Sequence, residues 1–559
     1  MTKSCTNCSQ QFEVTEEDLK FYDKVSPVFN GKKYPIPAPT LCPDCRAQRR
    51  MSVRNERNLY HRKCDLTGKT IVSIYSPDKP FKVYYREDWW SDKWDPLDYG
   101  QDFDFEESFF TQFSKLLLRV PLMSLFNVNC ENSEYVNLEY DQRNCYMTFT
   151  GAFSEDCYYS HYLLRGKNCV DCKNLDTCER CYELSDSSRS YECLFSMHLQ
   201  SCSNCLFCYD CQSCKHCFGS YNLRHAEYYF FNQKMSAAEY FKKISELKLG
   251  SFLTIEELKN KFNKEVLLKA IHKYAHIVNS EKCTGDYIKN SQNCTNCFEI
   301  ENSRDLKHVT IAETLNDSQD CYVGGYPGEL CYECMSQCVN VSNNLFCNFC
   351  WEGCHHLLYC DNCFSCQNCF ACIGLRHKEY CILNKQYSKA EYEELIPKII
   401  EHMETLGEWG EFFPVNLSPF AYNETVAQEY FPLTKEEALN KGYQWKDEED
   451  TYAYQGPKVE IPDSIEDVQD TICEQILTCE QCAKHYKVIK QELKFYRKLG
   501  LPVPRKCPNC RHQNRMALRN PRKLWDRKCA KCEKEIQTSY APERPEIVYC
   551  EKCYLAEVY

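Results

Sequence analysis

Cys145, Cys157, Cys169, Cys181, Cys193, Cys205 and Cys217 stand twelve residues apart without exception. Cysteine fills 14 of the 88 positions from 130 to 217, too few for such a run to arise by chance. Cys172, Cys178, Cys202, Cys208, Cys211 and Cys214 add a three-residue grid in the same register. Neither the period of a helix nor that of a strand sustains such a grid. It predicts twelve-residue coils of short strands and turns, each stacked on its neighbours, a small β-solenoid. Aromatic residues that follow cysteine (Tyr146, Tyr158, Tyr182, Tyr209, Phe218) are expected to form ladders along it.

The pattern is duplicated. Leu223-Arg224-His225-Ala226-Glu227-Tyr228 recurs as Leu375-Arg376-His377-Lys378-Glu379-Tyr380, at an offset of 152. Cys202, Cys208, Cys211, Cys214 and Cys217 map onto Cys354, Cys360, Cys363, Cys366 and Cys369. The second lobe keeps the register at Cys297, Cys321 and Cys369, with Val309, Glu333, Leu345 and Leu357 between, and reads as less regular. Ser236/Glu239 and Ser388/Glu391 are capping-box pairs, so a helix is expected to close each lobe. The repeated Arg224–His225 and Arg376–His377 pairs read as packing positions that cap each lobe.

The two ends are copies as well. Cys42-Pro43-Asp44-Cys45-Arg46 matches Cys507-Pro508-Asn509-Cys510-Arg511 at an offset of 465, and Leu19–Tyr22 returns as Leu493–Tyr496. Cys5/Cys8 with Cys42/Cys45, Cys479/Cys482 with Cys507/Cys510, and Cys529/Cys532 with Cys550/Cys553 form three four-thiolate sets. Two residues between paired cysteines let both sulfurs reach one tetrahedral ion, so three structural Zn2+ ions are expected. The offset leaves Thr67, Tyr85 and Asp88 where Cys532, Cys550 and Cys553 stand, so the ribbon around Cys64 is expected to be metal-free.

The fold expected is multidomain and β-rich with α. Paired zinc ribbons at each terminus flank two cysteine-rich β-solenoid-like repeat lobes, each closed by a helix. The divisions are 1–63, a zinc ribbon with a basic strip, and 64–112, a degenerate ribbon with an acidic-aromatic segment. Lobe 1 spans 113–245, a helical connector 246–280, and lobe 2 spans 281–406. A connector with an acidic linker covers 407–477, followed by ribbons at 478–528 and 529–559.

Cys5-x-x-Cys8, Phe12-Glu13-Val14, Asp18, Phe21-Tyr22 and Cys42-Pro43-x-Cys45-Arg46-x-x-x-Arg50 resemble the zinc-ribbon, treble-clef-like domain family of bacteria. The resemblance covers 5–50 and 479–515 and implies zinc binding with no assigned reaction. The whole chain also resembles cysteine-rich zinc-ribbon proteins of reduced-genome candidate-phylum bacteria, through strings such as Tyr-Ser-Pro-Asp-Lys-Pro at 75–80. That resemblance implies no function.

Each knuckle is followed by a basic strip. Arg46, Arg50, Arg54 and Arg57 would share one helix face, as would Arg511, Arg515, Arg519 and Arg522. Such faces suit phosphates, with Tyr60 and Trp525 available for stacking. The competing reading is an acidic partner, such as the carboxylate-rich segment Glu87–Glu107 of the same chain. Among the central thiols, Cys202, Cys205, Cys214 and Cys217 are candidates for a further metal site, against buried thiols that act as small apolar residues.

The chain has 44 cysteines in 559 residues and a formal net charge of −12. It opens without an apolar signal segment, and its longest apolar stretch, 116–126, is broken by Arg119 and Pro121. This places it in the reducing cytoplasm, where paired cysteines hold metal. No hydrolase elbow, metalloprotease helix or dinucleotide loop occurs, so an enzyme is not expected. The expected function is a non-enzymatic zinc scaffold binding RNA or a ribonucleoprotein through its ribbons. The alternatives are a protein-interaction scaffold acting through the solenoid lobes, or a metal or thiol reservoir.

Overall fold

The computed structural model describes residues 1–447, 456 and 459–559, so Glu448, Glu449 and Asp450 of the acidic stretch lie outside the described residues. The protein is multidomain and mixed α/β, with large parallel sheets and cysteine clusters near its termini. Its residues group into two compact units that are not serial in sequence. One contains Met1–Leu125, Ala275–Asp447 and Arg522–Leu524, and the other contains Phe126–Tyr274, 448–521 and Trp525–Tyr559. No helix among the described residues is long and apolar enough to cross a membrane.

In the unit containing 126–274, the strands Asn137–Tyr140, Phe149–Ala152, His161–Leu164, Lys173–Asp176 and Ser185–Ser188 pair in parallel. Asn137 faces Phe149, His161 faces Lys173, and Lys173 faces Ser185, each twelve residues on. Cys205 faces Cys217 by the same step. From Asn129 to Phe231 every third residue has positive φ, Gly219 included. A left-handed corner after every two further residues gives four corners to each twelve-residue step. Left-handed backbone is costly for residues with a Cβ, and Asn or Asp, the least penalised, hold many corners (Asn132, Asn144, Asp156, Asn168, Asp171). Hydrogen bonds between steps compensate: Arg143 N–H donates to Ser154 O, and Asn144 N–H to Glu131 O, both at 3.0 Å.

The side chains at the aromatic-ladder positions run Tyr146, Tyr158, Val170, Tyr182, Leu194, Leu206, Phe218 and Phe230. The ladder is therefore mixed aromatic and aliphatic. Tyr209 stands in another column, between Met197 and Tyr221.

In the unit containing 275–447 the spacing changes along the sheet. Gly285 faces Cys297 and Phe298 faces Thr310, twelve apart, but Cys321 faces Cys334 and Met335 faces Asn348, thirteen apart. Twelve returns at Leu357 and Cys369. The cysteine column thus runs Cys321, Cys334, Cys347, Cys360 and Cys372. A constant step of twelve puts Glu333, Leu345 and Leu357 in that column, and this is corrected: one extra residue per step moves cysteine onto it and places Glu333 at a corner, with φ 49°.

Helices follow each lobe at Ala237–Glu246 and Lys389–Thr405, with Ser236 and Ser388 accepting from the N–H groups of Glu239 and Glu391 at 3.3 Å. Each carboxylate returns the bond to the capping residue, so two terminal donors are satisfied in each helix.

Candidate metal centres and the docking faces of the ribbons

The three terminal cysteine sets are each assembled in the same way. Cys5 and Cys8 sit on the knuckle between the strands Thr2–Ser4 and Gln11–Glu13, where Ser9 N–H closes the turn on Cys5 O at 2.9 Å. Cys42 is the N-cap of the helix Pro43–Met51, whose first residue is a proline that needs no donor there. Cys479/Cys482 and the helix Pro508–Leu518 repeat this, as do Cys529/Cys532 and the helix Glu551–Val558 capped by Cys550. A helix N-terminus favours thiolate over thiol.

In each set the four sulfurs all lie within 4.8 Å of one another. Cys8–Cys42, Cys482–Cys507 and Cys532–Cys550 are 3.7 Å apart. Sulfurs at ~2.3 Å around a tetrahedral zinc would be separated by ~3.8 Å. Each cluster therefore has the donors, spacing and burial for one metal ion. Asn7 Nδ2 donates to Cys45 Sγ at 3.3 Å, the kind of outer bond that orients a ligand. The Cys45 hydrogen bond pulls the Cys42 thiol down to about 5 while pushing Cys45 up, so the protons are unequally held where a dication would displace them.

The counterpart around Cys64 keeps the knuckle without the other ligands. Gly68 N–H returns to Cys64 O at 2.8 Å, and the backbone N–H of Tyr85, standing where Cys550 does, donates to Cys64 Sγ at 3.3 Å.

The arginine strips are internal, and the phosphate-binding face expected of them is corrected. The helices end at Met51 and Leu518, so Arg54, Arg57, Arg519 and Arg522 lie past them and not on one helical face. Arg46 and Arg50 are 3% and 2% exposed and converge on the buried Asp320 at 2.8 and 3.1 Å, with Glu333 at 2.7 Å from Arg50. Arg54 pairs with Glu56 at 2.6 Å, and Arg57 with Glu429 at 3.1 Å. Arg515 reaches Asp171 at 2.7 Å, and Arg511 lies between Asp171 at 3.3 Å and Glu492 at 3.0 Å. Arg519 meets Asp186 at 2.9 Å and Arg522 meets Glu299 at 2.7 Å. Trp525 is half-buried in the strand Trp525–Lys528, opposite Thr538, and Tyr60 donates to Glu424 at 2.6 Å. The carboxylates opposing Arg46 and Arg50 come from a lobe and not from 87–107, whose Asp88, Asp102 and Glu107 pair with Lys93, Lys385 and Lys115.

The two dockings share an aspartate and an aromatic contact, while their remaining charged partners differ: Glu492 takes Arg511, but Asp18, its counterpart, takes Lys307. Asp320 and Asp171 receive equivalent arginines, while Tyr332 meets Phe21 and Tyr22 as Tyr182 meets Phe495 and Tyr496. The thirteen-residue steps shift the acid equivalence to an offset of 149, which a search at 152 passes over. The recurring Arg224 and Arg376 hold the second ribbon of each unit and do not cap the lobe. Arg224 bonds Asp210 and Tyr554 Oη, and Arg376 bonds Trp89 O and Trp94 O, Trp89 being the offset-465 counterpart of Tyr554. His225 and His377 are exposed.

The interior thiols are held by the backbone. Cys169 Sγ donates toward the carbonyls of Lys167 and Cys178, at 3.4 and 3.5 Å. Cys172 and Cys202 repeat this with the carbonyls of Val170 and Cys181 and of Gln200 and Cys211. Serine hydroxyls accept as well, Cys145 N–H donating to Ser133 Oγ and Cys172 N–H to Ser160 Oγ, both at 3.0 Å. The corner-every-third-residue backbone turns an N–H inward, and where serine stands one step earlier its hydroxyl accepts it. Burial pushes Cys172 and Cys208 well above the ordinary thiol value. Cys202, Cys205, Cys214 and Cys217 do not form a set whose sulfurs all lie within 4.8 Å, among the described residues.

No family model matches the chain, and no curated protein matches it.

Proposed function

We propose that this chain is a non-enzymatic, zinc-stabilised binding scaffold of the cytoplasm. Three structural zinc ions fix the ribbons, each ribbon pair braces one cysteine-lined β-solenoid lobe, and lobe surfaces meet the partner. The observation that carries this is the repeated docking: Arg46 and Arg50 on Asp320, and Arg511 and Arg515 on Asp171, all buried. Arginines turned inward on carboxylates brace a fold and offer nothing to a phosphate backbone. All 44 cysteines are unpaired, which fits a reducing compartment. A thiol reservoir is disfavoured because the lobe sulfurs already donate hydrogen bonds to carbonyls within the core.

Zinc removal tests the bracing. Chelation from the full chain should speed amide exchange in the ribbon helices and also in the lobe steps around Asp171, Tyr182, Asp320 and Tyr332. Exchange confined to the ribbons would overturn the reading.

A further inference from the structure

The closing ends of the two lobes differ at corresponding positions. Tyr229, Phe230 and Phe231 match Cys381, Ile382 and Leu383 at the offset of 152. The second trio is fully buried, and the 17-residue helix that follows it buries five residues. The first trio is only half-buried, and the ten-residue helix that follows buries Tyr240 alone. Phe241 on that helix is 47% exposed.

These rings form a set. His216 and Tyr228 stack with planes 4° apart and centroids at 5.5 Å, and Phe241 meets both edge-on at 5.1 and 5.8 Å. Phe230 stacks on buried Phe218 at 5.1 Å and touches Phe231. At the corner below, Gly219 has φ 58°, and a Cβ there would come within 2.6 Å of the Phe231 ring; the second lobe has Ala371 and the smaller Leu383. Burial, and then Lys215, push the His216 imidazole below its ordinary value, leaving a neutral flat ring.

Lysines rim the set. Lys234 Nζ lies 5.7 and 5.3 Å from the Tyr228 and Tyr229 ring centres, Lys243 Nζ 4.8 Å from Phe230 and Lys261 Nζ 4.0 Å from Phe231. Lys234 Nζ donates to Glu227 O and Lys243 lies near enough to Glu239 to favour its carboxylate, but no ion pair within 4.0 Å holds any of the three among the described residues. From 233 to 273 there are nine lysines against five glutamates, a local reversal in a chain of net charge −12. Half-exposed ring faces beside amines held in no close ion pair match a ligand that alternates flat bases with phosphates. An acidic peptide would satisfy the amines and leave the rings unmatched.

We propose that this closing end of the first lobe binds single-stranded nucleic acid, bases stacking on His216, Tyr228, Phe230 and Phe241 while Lys234, Lys243 and Lys261 reach phosphates. This rests on the scaffold reading in placing the binding surface on a lobe. The test is fluorescence anisotropy of a labelled oligouridylate with the full zinc-loaded chain across a salt series. Binding should weaken steeply with salt. The Lys234→Glu/Lys243→Glu/Lys261→Glu variant should flatten the log-affinity against log-salt slope by about 2, at ~0.7 for each phosphate contact. Phe241→Ala, at an exposed ring, should weaken binding about tenfold while zinc content and amide exchange stay unchanged. No salt-dependent binding, binding untouched by the triple reversal, or equal competition by polyglutamate would overturn the site. So would an unaffected Phe241→Ala, which would mark simple polyanion adhesion. Loss of this site with zinc-coupled protection of the lobes intact would leave the scaffold reading standing.

Discussion

Asp171→Ala tests the inward-facing arginines most directly. Asp171 is fully buried, takes Arg515 Nη1 at 2.7 Å and lies 3.3 Å from Arg511 Nη1. Removing one partner from a buried pair costs ~3–5 kcal/mol, because the stranded charge cannot recover its hydration. Arg511 keeps Glu492 at 3.0 Å, so the loss should fall near the lower end, ~3 kcal/mol. At ~1.4 kcal/mol per tenfold, amides of the helix Pro508–Leu518 that exchange by undocking should exchange about 100-fold faster. Hydrogen exchange with mass spectrometry on the full chain reads this peptide by peptide, and zinc content should hold at the wild-type value because Asp171 is no ligand. Replacing Asp171, Arg511 and Arg515 together by Leu, Met and Met should recover part of the loss, since no charge is then stranded except Glu492. A few-fold change or less on Asp171→Ala would refute the reasoning and return these arginines to solvent.

Elemental analysis should find three zinc ions per chain, with Cys532→Ser removing one and Thr67→Ser none. Burial alone would raise Asp320, but Arg46 and Arg50 hold it at about 2. The stability this gives is complete above the ordinary value of ~3.9 and lost as pH falls through about 2; denaturant titrations should show Asp320→Asn lacking this acid limb. Ser160→Cys should keep an acceptor for Cys172 N–H and the fold, whereas Ser160→Ala should cost ~1–3 kcal/mol for the stranded donor, read by thermal unfolding. Native alkylation should label half-buried Cys130, Cys283 and Cys473 first, and Cys8, Cys482 and Cys532 only after chelation, while the buried lobe thiols stay protected until unfolding. Early labelling of Cys169 or Cys360 would contradict the packed interior.

Local order decided what could be read from the chain itself. Paired cysteines two residues apart suit one ion, so the twelve cysteines of the three candidate metal clusters were visible as spacing before any tertiary contact. The cysteine grid showed a repeating backbone because a period is a property of sequence, and the capping boxes at Ser236 and Ser388 are complete within four residues. The destination of the arginines was not readable. Charge shows that a strip needs anions, but Asp320 lies 274 residues from Arg46 and Asp171 344 from Arg515. Single-residue insertions in three steps of the second lobe also blurred the equivalence of the two acids. Only the fold, by stacking thirteen-residue steps on twelve and placing carboxylates at left-handed corners, decided that these cations face a protein interior. The same holds for the thiols: spacing allows metal or packing, and it took the carbonyls of the same and the next step to show where each thiol donates.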